Sequence, residues 1–150
     1  MVDIVNATSP ETIGDIILLG GDGWDSDGMR QAMADRSHGA YYTSHFSKDE
    51  PLAKVTSFVE AFSSREGSTP GSIGALTYDT AKAVLAVHDP KADGLRMREL
   101  IKRIDHDGVT GWVDLRSRHG GDPYEKSIVL EQMHDPNSPR FKKRINRLAE

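Results

Sequence analysis

No cysteine occurs in the 150 residues, which excludes a disulfide framework, a thiolate metal site and a thiol nucleophile. That absence leaves the redox compartment open. Aromatic residues are sparse at 7%, and positive charge is not in excess: 19 Lys and Arg stand against 23 Asp and Glu, a net charge of -4. Such a balance gives no general attraction to nucleic acid or to anionic membranes, and points to a small molecule or a protein as partner. Long apolar runs are missing too. Nothing approaches the roughly 20 residues of a membrane span. The opening "MVDIVNATSPETIGD" lacks a charged segment followed by an apolar one, so no export signal is expected from it.

What is present describes one ordinary globular domain, with 37% hydrophobic and 28% charged residues. Ile16 to Leu19 is a continuous aliphatic run ending in glycines, which predicts a central strand of a sheet covered on both faces. Asp25 or Ser26 then caps a short helix carrying Met29, Ala32 and Met33 and closed by His38-Gly39, and "GAYYTSHF" supplies a second strand. Ser47 and Glu50 have capping-box spacing ahead of a helix with Leu52, Val55, Phe58, Val59 and Phe62 on one side. The next helix, from Ser72 to His88, is expected to bury Ile73, Leu76, Ala81, Val84 and Leu85. A third places Met97, Leu100, Ile101 and Ile104 on one face. "GVTGWVDLRS" and "KSIVLEQM" read as an antiparallel hairpin around "RHGGDPYE". Phe141, Ile145 and Leu148 have helical spacing in a basic tail.

Gly20, Gly21 and Gly23 could bring backbone amides close to a phosphate, but Ser26 stands where a third dinucleotide-binding glycine belongs and the P-loop lysine is missing. Calcium fits no better: counted from Asp22, the third position is Trp24 and the twelfth is not glutamate. A carboxylate at the carboxyl end of a strand lies where open α/β sheets bind ligands. Asp22, with Trp24, Tyr41 or Tyr42 beside it, suits an ammonium group, or else it only stabilises its own turn. Of the six histidines no pair has metal-binding helical spacing. His45 alone is expected to face the crevice of Asp22. No nucleophile elbow is present, and the basic tail reads as a solvated helix face.

The order "ILLGGDGWDS", "GAYYTSHFS", "VTSFVEAF", "ALTYDTAKAVL", "GVTGWVDL" and "GGDPYEKSIVL" resembles the later half of the type 1 periplasmic binding proteins, and within them the branched-chain amino-acid receptors of ABC transporters. The resemblance implies an α/β fold, a Rossmann-like or flavodoxin-like layered sheet with flanking helices and a C-terminal β-hairpin. It divides the chain into a leader or remodelled segment over 1–15, a partial binding-protein domain over 16–133, and a basic tail helix over 134–150. It implies an amino-acid-binding module without catalysis, cofactor or metal, and it assigns the ligand's ammonium to Asp22, with Trp24 and Thr43 lining the same cleft. This overrides the turn-only reading of Asp22. The parent family is periplasmic or extracellular. The family's earlier half is not matched, so a fragment that self-associates into a homo-oligomer, or one that keeps the fold without the ligand, is also expected.

Overall fold

The computed structural model describes residues 16–33, 39–116, 125–134 and 139–146, together with Ala7 and Pro123. Along them run β1 Leu19–Gly20, α1 Asp27–Met33, β2 Tyr41–Ser44, α2 Ala53–Glu66, α3 Ser72–Val87, α4 Gly94–Ile101, β3 Asp105–Gly108, β4 Gly111–Asp114, β5 Glu125–Lys126, β6 Ile128–Gln132 and β7 Arg140–Ile145. A four-stranded sheet has the order β1-β2-β6-β7, with β1 parallel to β2 and the other neighbours antiparallel. A second, antiparallel sheet has the order β3-β4-β5. The architecture is thus mixed α/β, strands flanked by helices. Only Ser127 separates β5 from β6, so one extended segment passes from the smaller sheet into the larger.

Two apolar clusters hold these parts. Trp24, Ala40, Tyr42 and Met133 pack at the larger sheet, and Phe46, Val55, Phe58, Ala75 and Val109 join α2, α3 and the β3–β4 turn. Phe46 meets Phe58 edge to face with centroids 5.8 Å apart, a favoured aromatic geometry. The stripe expected on α2 is present: Val55 and Phe58 are buried, Val59 and Phe62 partly so. Gly67 ends that helix in the left-handed region at φ 67°, where glycine carries no Cβ penalty.

Several elements differ from the sequence expectation. Among the described residues β1 stands at the edge of its sheet, not at its centre, and Ile16, Ile17 and Leu19 are 52%, 73% and 72% exposed. The aliphatic run signals a strand to be covered, while the described residues place a neighbour on one side of it only. The capping box is not formed. α2 starts at Ala53 behind Leu52, and the Glu50 carboxylate turns away to pair with Arg144. α3 presents the opposite face: Ala75, Asp79 and Ala83 are buried, whereas Ile73 and Leu85 are 81% and 70% exposed. Small residues let the helix approach the β3–β4 turn closely, and Asp79 bonds that turn directly.

The tight hairpin is β3–β4, around Val109 and Thr110, and not the expected pairing of "GVTGWVDL" with "KSIVL". The antiparallel pairing of these two segments is kept only at its start, Lys126 beside Val113 with Glu125 beside Asp114, before the chain leaves for the larger sheet. The Gly120-Gly121-Asp122 loop lies outside the described residues, as do His38 and Leu148. The tail is not helical over Arg140–Ile145, which forms β7 against β6.

Candidate ligand-binding cleft

The parallel register of β1 and β2, Leu19 beside Tyr41 and Gly20 beside Tyr42, brings both strands to an end on the same side of the sheet. The chain leaves β1 through Gly21 into a 3-10 turn, Asp22–Trp24, closed by Trp24 N–H to Gly21 O at 3.1 Å and Asp25 N–H to Asp22 O at 2.9 Å. Trp24 folds back beneath the strand. A Cβ at Gly20 would overlap its indole, so glycine is required there for packing. Asp22 is left on the outside of the turn with 70% of its side chain exposed. His45, just past β2, places Nε2 3.4 Å from Asp22 Oδ2. This is the crevice in which the sequence places both residues.

Asp25 ties the turn to the neighbouring helix. Its Oδ2 accepts hydrogen bonds from Ser44 Oγ at 2.6 Å and from Ser72 Oγ, and the two hydroxyls are 2.9 Å apart. A cleft of about 580 Å³ opens beside this cluster, with Asp25, Ser47, Lys48, Ser72, Ile73 and Glu131 among its walls. Its volume suits a small organic ligand. The first turn of α3 forms one wall. Gly71 at its N-cap offers no side-chain bond, so the leading amides of a 16-residue helix face the cleft region uncapped, at the positive end of the helix dipole. Ser47 Oγ is buried there without a protein hydrogen bond. Glu131 accepts from Tyr42 Oη at 2.6 Å. The carboxylates of Asp25 and Glu131, the leading amides of α3 and Lys48, whose Nζ donates to Asp49 at 3.1 Å, thus border one cleft.

Of the three residues the sequence assigns to the ligand, the structure puts Asp22 at the mouth of the turn. Trp24 is 6% exposed and belongs to the core beneath the cleft. Thr43 is half-buried on β2, and strand alternation turns it to the face opposite Tyr42 and Ser44; Ser44 is the residue that meets Asp25. Sequence reasoning missed Ser44, Ser72 and the tethering role of Asp25. Of the two caps the sequence offers for α1, Asp25 or Ser26, it is Ser26 whose Oγ accepts Met29 N–H at 3.3 Å, which leaves Asp25 to the serines. Pairing three residues 19 to 47 positions apart has no local signature.

No family model matches the sequence, and no curated protein matches it. Solved structures do. A leucine-binding protein from Thermotoga maritima is 25% identical with a TM-score of 0.73 over 91% of this chain and 39% of its own. The branched-chain amino-acid transporter substrate-binding protein of Streptococcus pneumoniae, in complex with isoleucine, is 23% identical, with a TM-score of 0.72 over 97% of this chain and 40% of its own. An ABC transporter substrate-binding protein of Desulfitobacterium hafniense, in complex with leucine, is 26% identical, with a TM-score of 0.67 over 93% and 38%. The chain thus spans about two fifths of the length of the proteins it matches, and its structural neighbours are the substrate-binding proteins of branched-chain amino-acid ABC transporters, with the type 1 periplasmic binding-protein fold.

Proposed function

We propose that the chain is a solute-binding module for an amino acid of the branched-chain type and performs no chemistry on it. The observation that carries this reading is the exposed Asp22 carboxylate at the carboxyl end of β1, in the turn that leads into Asp25 and Ser26 on the wall of a cleft which the uncapped N-terminus of α3 also lines. Asp22 accepts the ligand's ammonium, and the α3 amides with Lys48 take its carboxylate. Two of the neighbours hold isoleucine and leucine, which supports the ligand class.

A charge-assisted hydrogen bond contributes about 1.5–3 kcal/mol, so Asp22→Ala should weaken leucine binding roughly tenfold to a hundredfold. Calorimetric titration of the wild type, Asp22→Ala and Asp27→Ala with leucine and with 4-methylpentanoate, which lacks the amino group, tests this. Asp27 is the first residue of α1, a position where an acid favours the helix dipole, and it has no assigned role toward the ligand. Equal weakening by both substitutions, or equal binding of the two compounds, would return Asp22 to a turn residue. A second reading, a module that keeps the fold and associates with itself, is favoured by the exposed aliphatic face of α3.

A further inference from the structure

We infer that the groove between α2 and α3, closed at one end by β3, is a second small-molecule site, one that takes a carboxylate carried on a flat apolar body. The cavity has a volume of about 480 Å³, within the range of ligand pockets, and shares no lining residue with the cleft beside Asp25. Its floor is aromatic. The Phe58 ring lies 5.8 Å from Phe62 and 4.7 Å from Tyr78 between centroids, and Lys54, Arg65 and Lys82 stand around these rings. Phe62 lies against Gly74 as Phe58 lies against Tyr78, so the two helices run antiparallel across the groove. Lys82, one turn beyond Tyr78, is thereby set toward Lys54 and the β3 end.

The charges select the ligand. Both carboxylates that line the groove are committed: Asp107 accepts from Lys54 Nζ, and Asp79 accepts the amides of Val109 and Thr110. Lys82 meets no carboxylate among the described residues. Its Nζ lies 5.2 Å from the centre of the Tyr78 ring and donates to Tyr78 Oη at 3.4 Å. At the same end His106 keeps Nε2 buried without a hydrogen bond, the kind of group that a bound acceptor completes. A carboxylate there pairs with the Lys82 ammonium while its ring packs on Phe58 and Tyr78. An apolar segment of chain laid over the groove would instead have to desolvate Lys54, Arg65 and Lys82 without supplying a counter-charge, so the lining fits a small anion better than a covering element.

This site is independent of amino-acid binding. In calorimetric titration 2-naphthoate should bind one-to-one and roughly tenfold more tightly than 2-naphthamide, which keeps the rings and loses the charge. Lys82→Gln, at an exposed helical position, should remove most of that preference. Ala61→Trp, which fills the groove from the exposed side of α2, should abolish binding with the circular dichroism spectrum unchanged. Saturating leucine and Asp22→Ala should leave 2-naphthoate binding as it is. Equal affinity for the acid and the amide would overturn the proposal, as would binding of neither. So would displacement by leucine, or an unchanged preference in Lys82→Gln, a result that decides the matter whether or not the tryptophan variant folds.

Discussion

Asp22, in a glycine turn, and Asp79, within a helix, have opposite environments. Asp22 is exposed and meets His45; the sequence reveals this because two parallel strands ending together bring their next residues together. Asp79 is 4% exposed and accepts Val109 N–H at 2.9 Å, Thr110 N–H at 2.7 Å and Thr110 Oγ1 at 2.7 Å. Its partners lie about thirty residues downstream, so nothing local in "LTYDTAK" announces them. A Cβ at Gly108 would overlap this carboxylate, which accounts for the glycine. Asp79→Ala leaves two buried amides without an acceptor, at about 1–3 kcal/mol each. A stability loss of roughly 2–5 kcal/mol is expected in urea unfolding, and a smaller one for Asp79→Asn, which keeps one acceptor oxygen. A loss below about 1 kcal/mol for alanine would mean that water replaces the carboxylate.

Elements with strong local periodicity were legible, and those defined by distant pairing were not. α2 buries its stripe; α4 half-buries Met97, Leu100 and Ile101 and is capped by Asp93, which accepts Arg96 N–H at 2.8 Å. β7 misleads for a physical reason. Phe141 and Ile145 stand four apart, a helical interval, but a bulge opposite Leu130 and Glu131 skips Lys142, and the two pair with Glu131 and Ile128 of β6 in a strand. α3 shows the reverse error: its stripe is real but faces outward. The β3–β4 hairpin carries a problem the sequence also hides, since Asp105 and Asp114 are direct cross-strand partners and like charges there repel. Arg116 bridges both, at 2.8 Å from each carboxylate, and its hydrogen bonds hold the Asp114 carboxyl below the usual aspartate range.

A depressed folded-state value means that this stabilisation is complete above the ordinary aspartate range and is lost as pH falls through the lower folded value. Arg116→Gln should therefore lower the urea midpoint at neutral pH, and the gap to wild type should close as the medium is acidified through that window. Because Arg116 is half-exposed, added salt should shrink the gap as well. A gap that is constant from neutral to acid pH would assign the loss to packing of the arginine stem.

At the scale of the molecule, two sheets joined through a single residue need a further tie, and Arg144 supplies it. From β7 in the larger sheet it donates to Glu50 ahead of α2, through Nε at 2.7 Å and through a second guanidinium nitrogen. It also reaches Thr110 O at 2.7 Å in the hairpin of the smaller sheet and Ser127 Oγ at 2.9 Å in the crossover. Gly111 lies under this group with φ 101°, and a Cβ there would overlap Ser127 Oγ. The side chains of Arg144 and Glu50 are 13% and 3% exposed, so removing one strands the other charge. Arg144→Ala should cost about 3–5 kcal/mol, whereas Glu50→Leu with Arg144→Met, which removes both charges at similar volume, should recover much of that loss. Hydrogen exchange separates a tie between sheets from a merely local bond. In Arg144→Lys, which keeps the charge and loses the fork geometry, amides of β3 and β4 should exchange faster while those of β2 and β6 change little. Uniform acceleration in both sheets would show that the two unfold as one unit whatever Arg144 does, and that the arginine contributes stability without joining separable parts.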